Sequence, residues 1–379
     1  MEYRVISADC HIDLPWLPAD LFLAQAPSQW KAHVPQVVDT PKGKAWQADG
    51  IHLGYVGGVG SFGREYIPGS IHRADRMAAT GLYEDGRKGL MRPTTPELRL
   101  QDQARDGIQA EVIYGILGVA NRLNNPELTN IVYQIYNTWL ADFCKTYPER
   151  FAGLACIPNH DAKLAADEVR RAAKLGLRGA ELNVNAAIEP LWHPFWEPLW
   201  TAAEECQLSI AFHTTGTGKR PPADLDPKLL MAARASGLTQ FQMATAEYLS
   251  SLIFGGVLER HPGLRLVLGE SGIGWIPYIL DRMDYEYEDQ FQELGLSLRP
   301  SEYWHGQMYA TYQQDRIGIK LLDDVGVENV MWGSDYPHPD GIFPDSQAYL
   351  QRELGHVLEP MRRKIVCENA ARLYGFPLR

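Results

Sequence analysis

Compact apolar runs of four to six residues take turns along this chain with stretches whose apolar positions recur every three or four. The runs are Tyr3–Ala8, Glu111–Gly115, Gly153–Ile157, Arg178–Leu182, Leu208–Phe212, Leu264–Leu268, Met308–Thr311 and Asn329–Gly333. Most are apolar at consecutive positions, the mark of strands covered on both faces in a parallel sheet. Between them, Ile131, Ile135, Tyr136, Trp139, Leu140 and Phe143 fall on one helical face, and Leu164, Val169 and Ala172 follow a capping Asp161. Pro194 opens another helix that runs to Cys206. Eight strands alternating with helices predict an α/β protein, a (β/α)8 TIM barrel, with a doubly wound open sheet as its competitor.

From Leu14 to about Pro96 the alternation stops, and the segment is rich in glycine, proline and aromatic residues around GYVGGVGSFGREYIPGS. We expect one domain over residues 1–379, with 14–96 an irregular insertion after strand one that lies over the barrel mouth as a lid. Gly58, Gly60 and Gly63 fit the glycine spacing of a dinucleotide loop, but Pro68 and Gly69 forbid the helix that motif needs. Lys219 and Arg220 lack the upstream glycine of a phosphate loop.

Composition narrows the partners. With 45% hydrophobic and 22% charged residues the chain has ample material for a core. A net charge of −11 argues against nucleic acid and anionic membrane surfaces. No apolar run is long enough to span a bilayer, and no secretory leader is visible. Five scattered cysteines without a CxxC pair read as reduced thiols, so a cytoplasmic protein with a small-molecule substrate is expected.

The chemistry sits at the predicted strand ends. SADCHID closes strand one with Asp9, His11 and Asp13 at spacing two, which puts them on one side. Glu181 ends strand four, His213 strand five, Glu270 strand six, Tyr312 strand seven and Asp335 strand eight, with His338 just beyond. Each alone has a plain reading as a cap or a hydrogen-bonded loop residue. Together they would crowd imidazoles and carboxylates into one mouth, a repulsive set unless a divalent cation binds it.

The motifs DCH, FHTTG, ERHPGLRLVLGESG, MWGSDYPH and IVCENAARLYGF resemble the amidohydrolase superfamily, and within it the amidohydrolase-2 branch of aminocarboxymuconate-semialdehyde and γ-resorcylate decarboxylases. The resemblance runs from strand one to the C-terminus and skips the insertion. It implies Asp9, His11, His213 and Asp335 as metal ligands, holding Zn²⁺ or Mn²⁺, with Fe as an alternative. Asp9 stands where relatives carry His or Glu, and Glu270 where the decarboxylases carry a proton-handling His. Glu270 is thus either a catalytic acid/base, with Asp335 sharing the proton work, or a further ligand. As a ligand it would allow a second metal completed by Glu181 or by His33, His52 or His72 of the insertion.

Arg282 matches an arginine that relatives keep near a substrate carboxylate, its plain alternative being a surface ion pair with Asp281 or Asp284. Arg282, His338 and Tyr312 are the candidate substrate-binding residues. The implied activity is hydrolysis or non-oxidative decarboxylation of a small carboxylate-bearing substrate. The alternatives are a dinuclear Fe or Mn oxygenase on the same fold and a catalytically silent subunit of a hetero-oligomer. Relatives commonly form homodimers.

Overall fold

The computed structural model describes residues 3–120, 122–184, 187–213 and 224–378. The chain enters through β1 (Ile6–His11), every residue of which is buried. Three strands of the insertion follow: β2 (Gln36–Thr40), β3 (Gly43–Ala48) and β4 (Ile51–Tyr55). The remaining strands are β5 (Ala110–Tyr114), β6 (Phe151–Ile157), β7 (Gly179–Leu182), β8 (Ser209–His213), β9 (Leu266–Gly269), β10 (Met308–Tyr312) and β11 (Val330–Trp332). β1 and β5 to β11 form one parallel sheet in sequence order. Helices such as Pro126–Thr146, Ala162–Leu175 and Glu197–Cys206 run between its strands. This is the expected (β/α)8 barrel. The apolar runs succeed as predictors because both faces of each strand are covered, one by barrel interior and one by helices.

Closure between β1 and β11 is made at the C-terminal end, where β1 bonds to the loop that follows β11. The His11 amide donates to the Tyr336 carbonyl at 2.7 Å, and the Asp335 amide donates to the Asp9 carbonyl at 2.8 Å. Gly333 permits the close approach: a Cβ there would lie 2.4 Å from Asp9 Cβ.

The insertion departs from the irregular coil that the sequence suggests. β2, β3 and β4 form an antiparallel sheet. Its second turn, Asp49-Gly50, has both residues at positive φ, the geometry of a tight hairpin. Helices His72–Ala79, Leu82–Arg87 and Pro96–Asp106 follow. Trp46 and Leu53 are fully buried, and Trp46 meets Phe22 edge-on at 6.0 Å. The sheet therefore has a core of its own side chains, continuous with that of the barrel. Among the described residues, no helix is long and apolar enough to cross a membrane.

Candidate metal centre

Strand alternation and two strained turns build the site. Asp9 and His11 lie two apart on β1 and face the same way, so Asp9 Oδ1 comes within 3.3 Å of His11 Nε2. His213, at the end of β8, brings its Nε2 to 3.5 Å from the same Asp9 oxygen. Asp335 sits beyond β11 with φ +56° and puts Oδ1 3.0 Å from His11 Nε2. Glu270 follows β9 with φ +49°, and its Oε2 lies 3.7 Å from His213 Nε2. Left-handed backbone at residues that bear a Cβ costs about 1–2 kcal/mol each, and such strain gathers at functional sites.

His338, on the loop after β11, stacks on His11 with ring centroids 3.8 Å apart. Its Nδ1 lies 3.0 Å from Asp335 and its Nε2 2.8 Å from Asp13. Thr311 of β10 is a part of the site that sequence reasoning missed. Its hydroxyl donates to Asp9 Oδ2 at 2.7 Å and accepts from the Glu270 amide at 2.7 Å, while that amide also reaches Asp9 Oδ2 at 3.0 Å. The available signal was alternation along MYATY, which turns Thr311 toward the barrel interior.

The same alternation puts Tyr312 on the opposite face of β10 from Thr311. It faces away from the mouth, buried against the outer helices with Glu353 and Asp315 as its electrostatic neighbours. Arg282 is likewise not brought to the mouth of its own barrel. It is exposed on helix Ile276–Glu286, paired with Glu286 one turn on and stacked on Tyr285. The surface ion pair is thus formed, with Glu286 in place of Asp281 or Asp284.

Glu181 is buried inside the barrel, where it accepts from the Gly115 amide and lies 3.4 Å from Cys156 Sγ. His33 is paired with Asp49 at the surface, and His52 and His72 are exposed. None of these four joins the clustered ligand atoms found among the described residues. Lys219 and Arg220 lie outside the described residues.

Electrostatics follow from burial and charge. Asp9 and Asp335 are held below the usual carboxylate range, because contact with neighbouring imidazoles outweighs the upward pull of burial. Glu270 moves the other way. Burial first, then Asp335, Asp340 and Asp9, push its carboxyl well above the ordinary value. Burial works to lower His11, yet Asp335 and Asp9 raise it to about 9. His338 is also raised, with Asp335 and Asp13 overriding burial. Glu181 is raised to about 7, chiefly by burial.

The donor set fits a divalent cation. Three groups of ligand atoms each gather within 4.8 Å: Asp9 with His11 and His213; His11 with Asp335 and His338; and Glu270 with Asp335 and Asp340. Among the described residues, Asp9 Oδ1, His11 Nε2 and both Asp335 oxygens are buried without a hydrogen bond of acceptable angle. Buried polar atoms left so are costly unless something else binds them. Separations of 3.0–3.5 Å between His11, Asp9, His213 and Asp335 atoms match neighbouring ligands around an ion with bonds of about 2.1 Å.

A parallel eight-stranded barrel that gathers imidazole and carboxylate donors at its C-terminal mouth is an architecture able to hold a divalent cation. The narrower placement comes from comparison with known proteins: residues 8–376 match the amidohydrolase family Amidohydro_2, and the chain belongs to it. It is 30% identical over 253 residues to the γ-resorcylate decarboxylase of Rhodococcus jostii, covering 63% of this chain and 74% of the relative. It is 24% identical over 287 residues to the 2-amino-3-carboxymuconate-6-semialdehyde decarboxylase of Dictyostelium discoideum, covering 74% and 76%. Among solved structures, an amidohydrolase from Mycobacterium avium subsp. paratuberculosis superposes with TM-score 0.72 at 22% identity, covering 99% of this chain and all of that one. The 5-carboxyvanillate decarboxylase of Novosphingobium aromaticivorans, complexed with manganese and 4-hydroxy-3-methoxy-5-nitrobenzoic acid, superposes with TM-score 0.69 at 20% identity, covering 99% and 96%.

Proposed function

We propose that this protein is a divalent-metal-dependent carboxy-lyase that removes CO₂ from a small aromatic or enoic carboxylic acid, working in the cytoplasm as a homodimer. The observation that carries the reading is a pair of buried donor groups that share His11, one with Asp9 and His213 and the other with Asp335 and His338. The decarboxylases among its relatives and the manganese in a structural neighbour support it. Those four residues would hold the cation, Mn²⁺ or Zn²⁺. When bound, it supplies Lewis acidity to the substrate's carboxylate or phenolate oxygens.

The chain's own groups do the rest. Loss of CO₂ breaks the bond between carbon and carboxylate and leaves its electron pair on the ring or enoic carbon. That carbon needs one proton. We assign that proton to Glu270, whose carboxyl is pushed upward by burial and by the neighbouring Asp335, Asp340 and Asp9 carboxylates. It gives the proton to carbon and regains one from water. Asp335, flanked by His11 and His338, stays ionised and fixes both rings. Thr311 holds Asp9 and the Glu270 backbone in mutual register. The insertion reaches the loop after β11, where a Cβ on Gly60 would lie 3.3 Å from Pro339 and Arg73 donates to the Asp340 carbonyl, which supports a role over the mouth.

The test is elemental analysis of the purified chain and of Glu270→Gln, with CO₂ release from 2,6-dihydroxybenzoate and related acids. One metal per chain in both proteins, and turnover in the wild type alone, supports the reading. A chain that retains no divalent metal overturns it.

A second reading is favoured by one observation. Glu270, Asp335 and Asp340 bring carboxylate oxygens within 4.8 Å of one another, and Asp335 is shared with the His11 group. In that reading Glu270 is ionised and binds a second cation, as in a dinuclear Fe or Mn enzyme. Two metals in the wild type, falling to one in Glu270→Gln, would select it.

A further inference from the structure

We infer that Arg99, on the helix that follows the insertion, is a positioning residue for the metal centre. The inference rests on the metal-binding part of the reading above. It concerns the seam where β1 meets β11, because the ligands Asp9 and His11 come from one side of that seam and Asp335 from the other.

Helix Pro96–Asp106 packs behind the seam. Arg99 is fully buried, and its Nε donates to Glu111 Oε2 at 2.6 Å. Its Nη1 donates to the carbonyl oxygen of His11 at 3.0 Å and to that of Pro93 at 3.0 Å. The guanidinium also lies over the ring of Tyr336, 5.0 Å from its centroid. Tyr336 is the neighbour of Asp335, and its carbonyl accepts the His11 amide at 2.7 Å. One planar cation therefore touches the backbone of one ligand and the residue next to another.

A second grip comes from the same helix, one turn on. The Tyr336 hydroxyl donates to Asp102 Oδ2 at 2.7 Å, and Asp102 accepts from Arg92 Nε at 3.0 Å. Tyr336 is thus held by its face and by its hydroxyl, and Asp335 can move relative to His11 only if one grip yields. A guanidinium suits this task and an ammonium does not. The fork directs separate N–H groups to Glu111 and to two carbonyls while its flat face stacks on the ring. Lysine offers one compact charge on a flexible stem.

Partners that orient metal ligands from behind typically change metal affinity 10- to 100-fold when lost. The full chain, freed of metal, is titrated with Co²⁺, whose visible absorption reports ligand geometry. Arg99→Lys keeps the charge beside Glu111 and breaks the fork. We expect Co²⁺ affinity to fall at least tenfold and the visible band to shift, with circular dichroism unchanged. Tyr336→Phe removes only the Asp102 grip, folds on packing grounds, and should show a smaller loss in the same direction.

A purely structural arginine would lower the melting temperature and leave the Co²⁺ spectrum and affinity of folded protein as in the wild type; that result overturns the inference. If Arg99→Lys does not accumulate, Arg99→Gln, which loses the fork and its charge, is titrated in its place, and wild-type Co²⁺ behaviour in it overturns the inference. A wild-type chain that binds no Co²⁺ sinks the metal-centre reading instead, so the two failures are distinguishable.

Discussion

At the scale of single residues, the site is a balance between repulsion and pairing. Metal-free, His11 has its proton affinity raised from the ordinary value of 6.5 to about 9. A histidine whose folded value is raised adds stability that is complete below its unfolded value and is lost as pH climbs through the folded one. In chelator, the melting temperature should therefore fall between pH 6.5 and 9, and the affinity for Mn²⁺ should rise over the same interval as the proton stops competing. Melting curves and titrations across that range check both signs. Asp9 and Asp335 act at the other end. Their depressed values add stability that fades as pH drops below the ordinary carboxylate range.

Glu270 combines a buried carboxyl with left-handed backbone. Glu270→Asn replaces it with an uncharged residue that tolerates that backbone. The metal-free variant should melt higher than the metal-free wild type, and the metal-loaded variant should turn over no substrate, as calorimetry and CO₂ release will show. The clustered imidazoles and carboxylates were legible in the sequence because each stands at or near a strand end with a short approach to the mouth. Thr311 was not, since a threonine inside a strand carries no chemical flag; only its orientation gives it a role. Arg282 and Tyr312 lie apart from the cluster for the converse reason: position in sequence near the mouth says nothing of the direction a side chain takes from a helix or a strand.

At the scale of elements, spacing across the seam is set by backbone contact. The built Cβ at Gly333 would collide with Asp9 Cβ and, at 2.9 Å, with its amide nitrogen. Gly333→Ala should cost about 1–3 kcal/mol in urea unfolding and weaken metal binding, since the pressure falls on a ligand. A loss of stability with unchanged metal affinity would show that Asp9 is not displaced. The eight barrel strands were readable as apolar runs, whereas β2, β3 and β4 were hidden among glycines and prolines. The cue was there in QADGIHLG, where Asp49-Gly50 stands between alternating segments, the residues a tight hairpin demands. A long stretch without one dominant period concealed it, because two antiparallel turns interrupt the pattern every few residues.

At the scale of the whole molecule, the insertion and the barrel share buried contacts, so they should unfold together. Trp46 has no exposed surface and lies in the same continuous core as the barrel's strands. Trp46→Ala should cost about 3–5 kcal/mol, with barrel and insertion lost in one transition. Tryptophan fluorescence and far-ultraviolet dichroism should give coincident curves in the wild type. Two separated transitions would mean that residues 14–96 form an independent lid. Net charge of −11 and an acidic mouth also bear on traffic. Cations are drawn in at low salt, and raising the ionic strength should slow their capture more than their release.

The closing bonds at the seam have a consequence for biogenesis. Thr311 lies 302 positions after the Asp9 that it fixes, and Asp335 comes later still. A ribosome delivers the first ligands at the outset and the last near the end of translation. A cation held by Asp9, His11, His213 and Asp335 together could be enclosed only after residue 335 has been made, and a nascent chain that ends before His213 offers it only the two donors of β1.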